Sequence, residues 1–297
     1  AEVMESWAPQ VAQATEGRVK LANLPQPVTN PPGHYNAVRD GLADVAMTVI
    51  GYTPGRFPLS EVAEMPLMAD SAEANSVAFY RLAEREPAIM NEYKDVKVLA
   101  LFTHGPGVVF NTRQEIAGLA DLQKLKFRVG GGVVNEVAKL LDANTTLKPA
   151  TESYELLSTG VMDGVWLPFE SLATYKLDKL VKYATTFPGG LYSSTFIVMM
   201  NKQRWQALSP QDQAIIGKLA GEAYSRALGK AFDARDAEGR ALAEKNGIRI
   251  TEAPPALLQE VRARIGPLEK RWADLARERG VADPARLIKD YRAEATR

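Results

Sequence analysis

Lys126-Phe127-Arg128-Val129-Gly130-Gly131-Gly132-Val133-Val134 is the stretch on which the fold class turns. Phe127 to Val129 reads as a short apolar strand, and a run of three glycines turns the chain after it. Apolar residues then recur at helical spacing from about Val134 to Leu141. The same rhythm repeats downstream, with a strand predicted over Thr145 to Lys148, a helix over Glu152 to Ser158 and a strand over 163–167. A helical stretch runs from Phe169 to Lys176. Strands alternating with helices argue for α/β layers and a largely parallel sheet. In such sheets the functional loops gather at the C-terminal ends of the strands. Arg128 and the glycine run stand at one such end.

Working outward, residues 1–17 read as an amphipathic helix carrying Val3, Trp7 and Val11, and Arg18 to Leu24 alternates like a strand. A proline-rich loop leads into a short helix that stops at Gly41. Strands are predicted over Asp44 to Ile50, Val96 to Thr103 and Val108 to Asn111, with a helix over 71–92. Phe196 to Met200 is a strongly apolar strand. Beyond it the pattern predicts one long helix over 210–245, entered at Ser209-Pro210. A strand at Ile248 to Ile250 and charged amphipathic helices over 255–279 and 284–295 complete the chain. Gly41 to Met47 shares a G-x-x-D spacing with Gly160 to Trp166. Either this is chance, or two similar lobes each present a strand-end loop to a shared cleft.

The 297 residues, 46% of them hydrophobic, suffice for about two domains. Thirty-six basic groups balance 36 acidic ones, so there is no surplus of the kind that neutralises nucleic-acid phosphates. Residues 201–297 hold 19 basic and 14 acidic groups, against 17 and 22 in residues 1–200, a mild asymmetry that mixed helix surfaces explain. The absence of cysteine excludes disulfide frameworks, cysteine–zinc sites, iron–sulfur clusters and thiol nucleophiles. Two histidines, His34 and His104, leave little for a polyhistidine metal site or a serine–histidine hydrolase. No nucleophile elbow, P-loop or dinucleotide fingerprint is present, so no catalytic residue, metal or cofactor is assigned. No apolar run reaches the length of a membrane span. The chain opens in mid-pattern at Ala1-Glu2-Val3, which predicts a preceding N-terminal stretch that includes an export signal.

Several ordered features together resemble the solute-binding proteins of tripartite ATP-independent periplasmic (TRAP) transporters, of the DctP type. Glu16-Gly17-Arg18-Val19-Lys20 follows the first helix, and Arg39-Asp40-Gly41-Leu42-Ala43-Asp44-Val45 leads into a strand. Phe57-Pro58-Leu59 and Glu64-Met65-Pro66 come next, then Leu125-Lys126-Phe127-Arg128-Val129. Glu152 to Gly164, with Tyr154, Gly160, Asp163 and Gly164, completes the series. Each motif is weak, but their order is specific, and together they span about residues 1–250. The resemblance implies a two-lobed, type II-like periplasmic-binding-protein fold with a cleft between α/β lobes and a long helix spanning both. On it, lobe I is 1–105 with 194–232, and lobe II is 106–193 with 233–297. The predicted 210–245 helix, at 1.5 Å per residue, would reach roughly 50 Å. The resemblance further implies a periplasmic location, capture of an organic acid, and delivery to the membrane permease subunits of the transporter.

By the same resemblance Arg128 matches the family's signature arginine, which forks onto a substrate carboxylate. A guanidinium suits that role, because its planar donors fit two carboxylate oxygens. The competing reading is an edge-strand arginine facing solvent. Gly131, within the glycine run, belongs either to an anion cradle at a helix N-terminus or to a flexible turn. Leu167 stands where the family often has a polar Asn, and the neighbourhood of His104-Gly105-Pro106-Gly107 lacks the second arginine of sialic-acid binders. An acid-sugar site is therefore not expected. Trp166 and Phe169 are placed either beside the ligand or in ordinary core. With one cation among aromatics, the ligand is expected to be a monocarboxylate with an apolar or aromatic body. His104 either donates to an anion or is a satisfied structural histidine. Ile50 and Tyr52, at the end of the other G-x-x-D strand, and Tyr192, near the lobe crossover, are further cleft candidates. Two other readings remain open here: an α/β enzyme acting on a small carboxylate, and a module whose C-terminal helices pair two copies into a homodimer rather than packing on a monomer.

Overall fold

The computed structural model describes residues 2–296. Nine strands form two sheets. The first has the order β1 (Val45–Val49), β8 (Thr195–Asn201), β2 (Val96–Thr103). Central β8 runs antiparallel to both neighbours, with Met47 opposite Val198 and Leu101 opposite Ile197. The expected parallel arrangement therefore fails in this sheet. The strand that completes it arrives from the far side of the molecule and enters reversed. The second sheet has the order β5 (Asn144–Leu147), β4 (Lys126–Val129), β6 (Gly164–Leu167), β3 (Val108–Asn111), β7 (Tyr183–Thr186), β9 (Arg249–Glu252). Here β5, β4 and β6 are parallel, β3 is antiparallel to both neighbours, and β7 is parallel to β9. Strands of the first sheet thus come from residues 45–103 and 195–201, and those of the second from 108–186 and 249–252. The chain crosses between them three times.

The third crossing is the helix Glu222–Lys245, which runs about 36 Å at 1.5 Å per residue. Asp233 on this helix accepts the N–H groups of Ala72 (2.6 Å) and Glu73 (3.0 Å), capping the helix Ala72–Arg85 beside the first sheet. One turn further on, Asp236 accepts the N–H of Glu170 (2.8 Å), just after β6 of the second sheet. The continuous 210–245 helix predicted from the pattern is broken. One helix ends at Leu219, and Gly221 takes a φ of +69° and donates its N–H to the carbonyl of Leu99 in β2 (2.7 Å). A left-handed residue cannot continue a right-handed helix.

Other boundaries shift for similarly local reasons. Pro267 splits the predicted 255–279 helix into Pro255–Ile265 and Pro267–Glu278, since proline lacks the N–H that helix continuity needs. Pro87 similarly ends the first long helix at Arg85. Arg18 to Leu24 forms no strand: its alternation is right, but no described strand offers ladder partners. The C-terminal helices do not belong to one half. Pro255–Ile265 packs on the helices following β3 and β4, while Pro284–Ala295 packs on Ala72–Arg85. Leu257, Val261, Trp272 and Tyr291 are buried there, and the Trp272 indole N–H donates to Leu59 O (3.0 Å). Their apolar faces are used within the chain. No helix of the described residues is long and apolar enough to cross a membrane.

Candidate functional site

A cavity of about 60 Å³ lies between the two sheets. Val49 and Tyr52 reach it from the end of β1, and His104 from the end of β2. Arg128 and Gly130 reach it from β4, and Leu167 and Glu170 from β6. Four strand C-termini thus converge on one space, as open α/β sheets favour. A larger groove of about 660 Å³ lies elsewhere, beside Trp7, Leu24 and Leu42. Its arginines, Arg18 and Arg204, are exposed and paired with Asp212 and Asp44. What marks the smaller cavity is its charge.

Arg128 is only 2% exposed. Its Nε donates to Lys148 O at 2.8 Å, and Nη1 makes a long 3.4 Å contact to Trp166 O. Among the described residues no carboxylate lies within ion-pair range of it. A guanidinium removed from water without a counter-charge is costly.

Strand alternation explains which neighbours share its face. Arg128 stands opposite Val165 in the parallel β4–β6 ladder, so Leu167, two residues on, lies on the same side. Trp166 points the other way, fully buried against Phe127 (ring centroids 6.1 Å apart). Phe169 turns into the second core against Phe110 (5.4 Å), with Arg240 over its ring. Both are buried, and neither lines this cavity. Ile50 is likewise core, 2% exposed, while its neighbours Val49 and Tyr52 face the cavity. The aromatic walls come instead from Tyr175, Tyr192, Phe196 and Phe232. Of these only Tyr192 is legible as a candidate in the sequence. Tyr175 and Phe232 sit in helical stretches that carry no motif.

Within the glycine run Gly130 lines the cavity, while Gly131 meets the other half of the molecule. A Cβ on Gly51 would lie 2.4 Å from the carbonyl oxygen of Gly131, so the two halves meet backbone to backbone at that point. The helix N-terminus that follows is already occupied by Glu64, which is completely buried. Glu64 accepts the Val133 N–H (2.9 Å), the Thr195 N–H (2.9 Å) and the Thr195 hydroxyl (2.6 Å). Burial raises its pKa despite these three donors. The carboxyl group at this helix N-terminus is the chain's own, and no motif singles Glu64 out for that role. Tyr52 also spans the gap: its hydroxyl oxygen accepts the Ala150 N–H (3.0 Å), which leaves its own O–H free to donate.

His104 is 5% exposed and packs edge-on to Tyr192 (5.3 Å). Its Nδ1 lies 2.5 Å from the carbonyl oxygen of Gly105. Burial lowers its pKa to about 4, with the Arg128 charge adding to the effect, so the ring is neutral. Burial also pushes the Tyr192 and Tyr175 phenols well above the usual range. Glu170 accepts the hydroxyls of Ser171 and Thr174, both at 2.7 Å. Among the described residues no cluster of three His, Asp or Glu side chains is placed to hold a metal ion.

These features describe a two-half fold with a cationic, aromatic-walled cavity between the halves. The chain belongs to the DctP family, bacterial extracellular solute-binding protein family 7, whose model matches residues 1–275. It is 31% identical over 294 residues to the outer membrane transporter protein TsaT of Comamonas testosteroni, covering 99% of this chain and 86% of that one. A TRAP periplasmic solute-binding protein of Bordetella bronchiseptica, solved with bound (R)- and (S)-mandelate, superposes with a TM-score of 0.95 at 42% identity. The match covers 98% of this chain and 92% of that one. A marine metagenome TRAP solute-binding protein specific for aromatic acid ligands, solved with 3-hydroxybenzoate, gives 0.91 at 34% identity, covering 99% and 92%. The chain is a TRAP transporter solute-binding protein with the two-lobed fold of that group.

Proposed function

We propose that this protein captures an aromatic monocarboxylate between its lobes in the periplasm and passes it to the membrane permease subunits of a TRAP transporter. The observation that carries the reading is the buried Arg128 guanidinium, which faces a cavity and has no carboxylate partner among the described residues. The ligand carboxylate supplies the missing charge through a forked salt bridge, with the free Tyr52 O–H as a further donor. The apolar body lies among Tyr175, Tyr192, Phe196 and Phe232. Glu170 on the same wall disfavours a second carboxylate, and Leu167 offers no polar contact to a sugar. The mandelate and 3-hydroxybenzoate held by the two structural neighbours are ligands of this class. On this reading lobe I is 1–105 with 194–232, and lobe II is 106–193 with 233–252, while the C-terminal helices bridge both.

Thermal-shift and calorimetric titration against benzoate, mandelate, succinate and glucuronate tests the proposal. Saturable stabilisation by the two aromatic acids alone is expected, amounting to about 2.7 kcal/mol at a hundredfold excess over Kd. Preference for glucuronate or succinate would overturn it.

A further inference from the structure

Resting on that acid-binding reading, we propose that Nε2 of His104 accepts a hydrogen bond from a hydroxyl group on the bound acid, so that hydroxylated aromatic monocarboxylates are preferred over their deoxy parents. The argument begins at the other ring nitrogen. A carbonyl oxygen can only accept, so Nδ1, 2.5 Å from Gly105 O, carries the proton. A neutral imidazole with its proton on Nδ1 has a bare lone pair on Nε2. Burial and the Arg128 charge keep the ring neutral. No protein donor among the described residues serves Nε2, although His104 lines the cavity.

A bare acceptor cannot hold a carboxylate; it repels one. His104 therefore leaves the carboxylate to Arg128 and asks for a donor elsewhere on the ligand. Glu170, the carboxylate on the wall, already takes one hydroxyl on each oxygen. The edge-on packing of His104 against Tyr192 and Phe196 fixes the ring, so the acceptor stands preorganised.

Two ligand pairs read the interaction: mandelate against phenylacetate for an α-hydroxyl, and 3-hydroxybenzoate against benzoate for a ring hydroxyl. Calorimetry on the wild type is expected to show a five- to twentyfold preference for the hydroxylated member of at least one pair, which identifies the hydroxyl that is read. In His104→Phe that preference falls to about one, whatever the change in affinity for the parent acid. His104→Gln, which puts an amide oxygen near the Nε2 position, restores part of it. A readout on the wild type is independent of how the variants fold. With only two histidines in the chain, ¹⁵N-histidine spectra resolve His104. They should show an unprotonated Nε2 whose signal moves on adding the hydroxylated acid and not its parent. A protonated Nε2, equal affinity within both pairs, or a preference that survives in His104→Phe overturns the proposal while the acid-binding reading stands. Failure of every aromatic acid to bind the wild type overturns both.

Discussion

Replacing Arg128 by Met separates a ligand anchor from a structural strut. Of the five N–H groups of a guanidinium, one is spent on Lys148 O and one makes the long contact to Trp166 O, which leaves about three for a ligand. Two charge-assisted hydrogen bonds at roughly 1.5–2.5 kcal/mol each imply that the variant loses about 3–5 kcal/mol of binding free energy. That is a hundred- to several-thousandfold rise in Kd for any acid, at about 1.4 kcal/mol per decade. The unliganded protein should respond differently. It loses the bond to Lys148 O, worth roughly 1.5–3 kcal/mol, but it also loses a buried and unpaired cation, whose burial opposes folding by a comparable or larger amount. An apolar side chain of similar length fills the space. The melting temperature of the free protein should stay within a few degrees of wild type or rise, while the ligand-induced shift disappears. Arg128→Lys keeps the charge without the fork and should bind at an intermediate level. Calorimetry paired with differential scanning measures both quantities. Wild-type affinity in Arg128→Met would refute the salt bridge. A collapse of the free protein's stability would show the guanidinium to be a strut.

Two further outcomes follow from the contacts between lobes and from the buried carboxylates. Gly51→Ala puts a methyl 2.4 Å from the Gly131 carbonyl oxygen, so it should hold the lobes apart. Affinity should fall at least about tenfold with little change in the free protein's melting, and small-angle scattering should no longer contract on ligand addition; unchanged contraction would contradict the contact. Burial, then the charges of Glu64, Glu92 and Glu136, pushes Glu61 up to about 8. The native state therefore holds a proton that the unfolded chain has already released, so stability should fall as pH rises from 7 to 9, a window above the opposing titration of His104. Calorimetric melting across that window measures it, Glu61→Gln should flatten the slope, and a rising melting temperature would refute the assignment.

The sequence by itself determined what depends on local periodicity. The apolar runs of β1, β2, β4, β6 and β8 declare themselves through branched and aromatic residues, and the position of Arg128 at the end of β4 follows from them. So do the motif order that marks the family, the missing second arginine near His104, and Leu167 in place of a polar residue. Even the fate of Trp166 was implicit, since strict alternation puts it on the face opposite Leu167. Only the tertiary structure decided how the cavity is walled and what else fills its surroundings. Tyr175 and Phe232 arrive from segments 57 residues apart, Glu64 takes the helix N-terminus behind the glycine run, and the bond of Gly221 to Leu99 divides the long helix. Arg18 to Leu24 has a strand's alternation and no partner to complete it. The reason is common to all of these. Periodicity records which face of a segment is buried, whereas the neighbour that buries it, and the charge or lone pair left facing a cleft, are set by contacts between residues far apart in the chain.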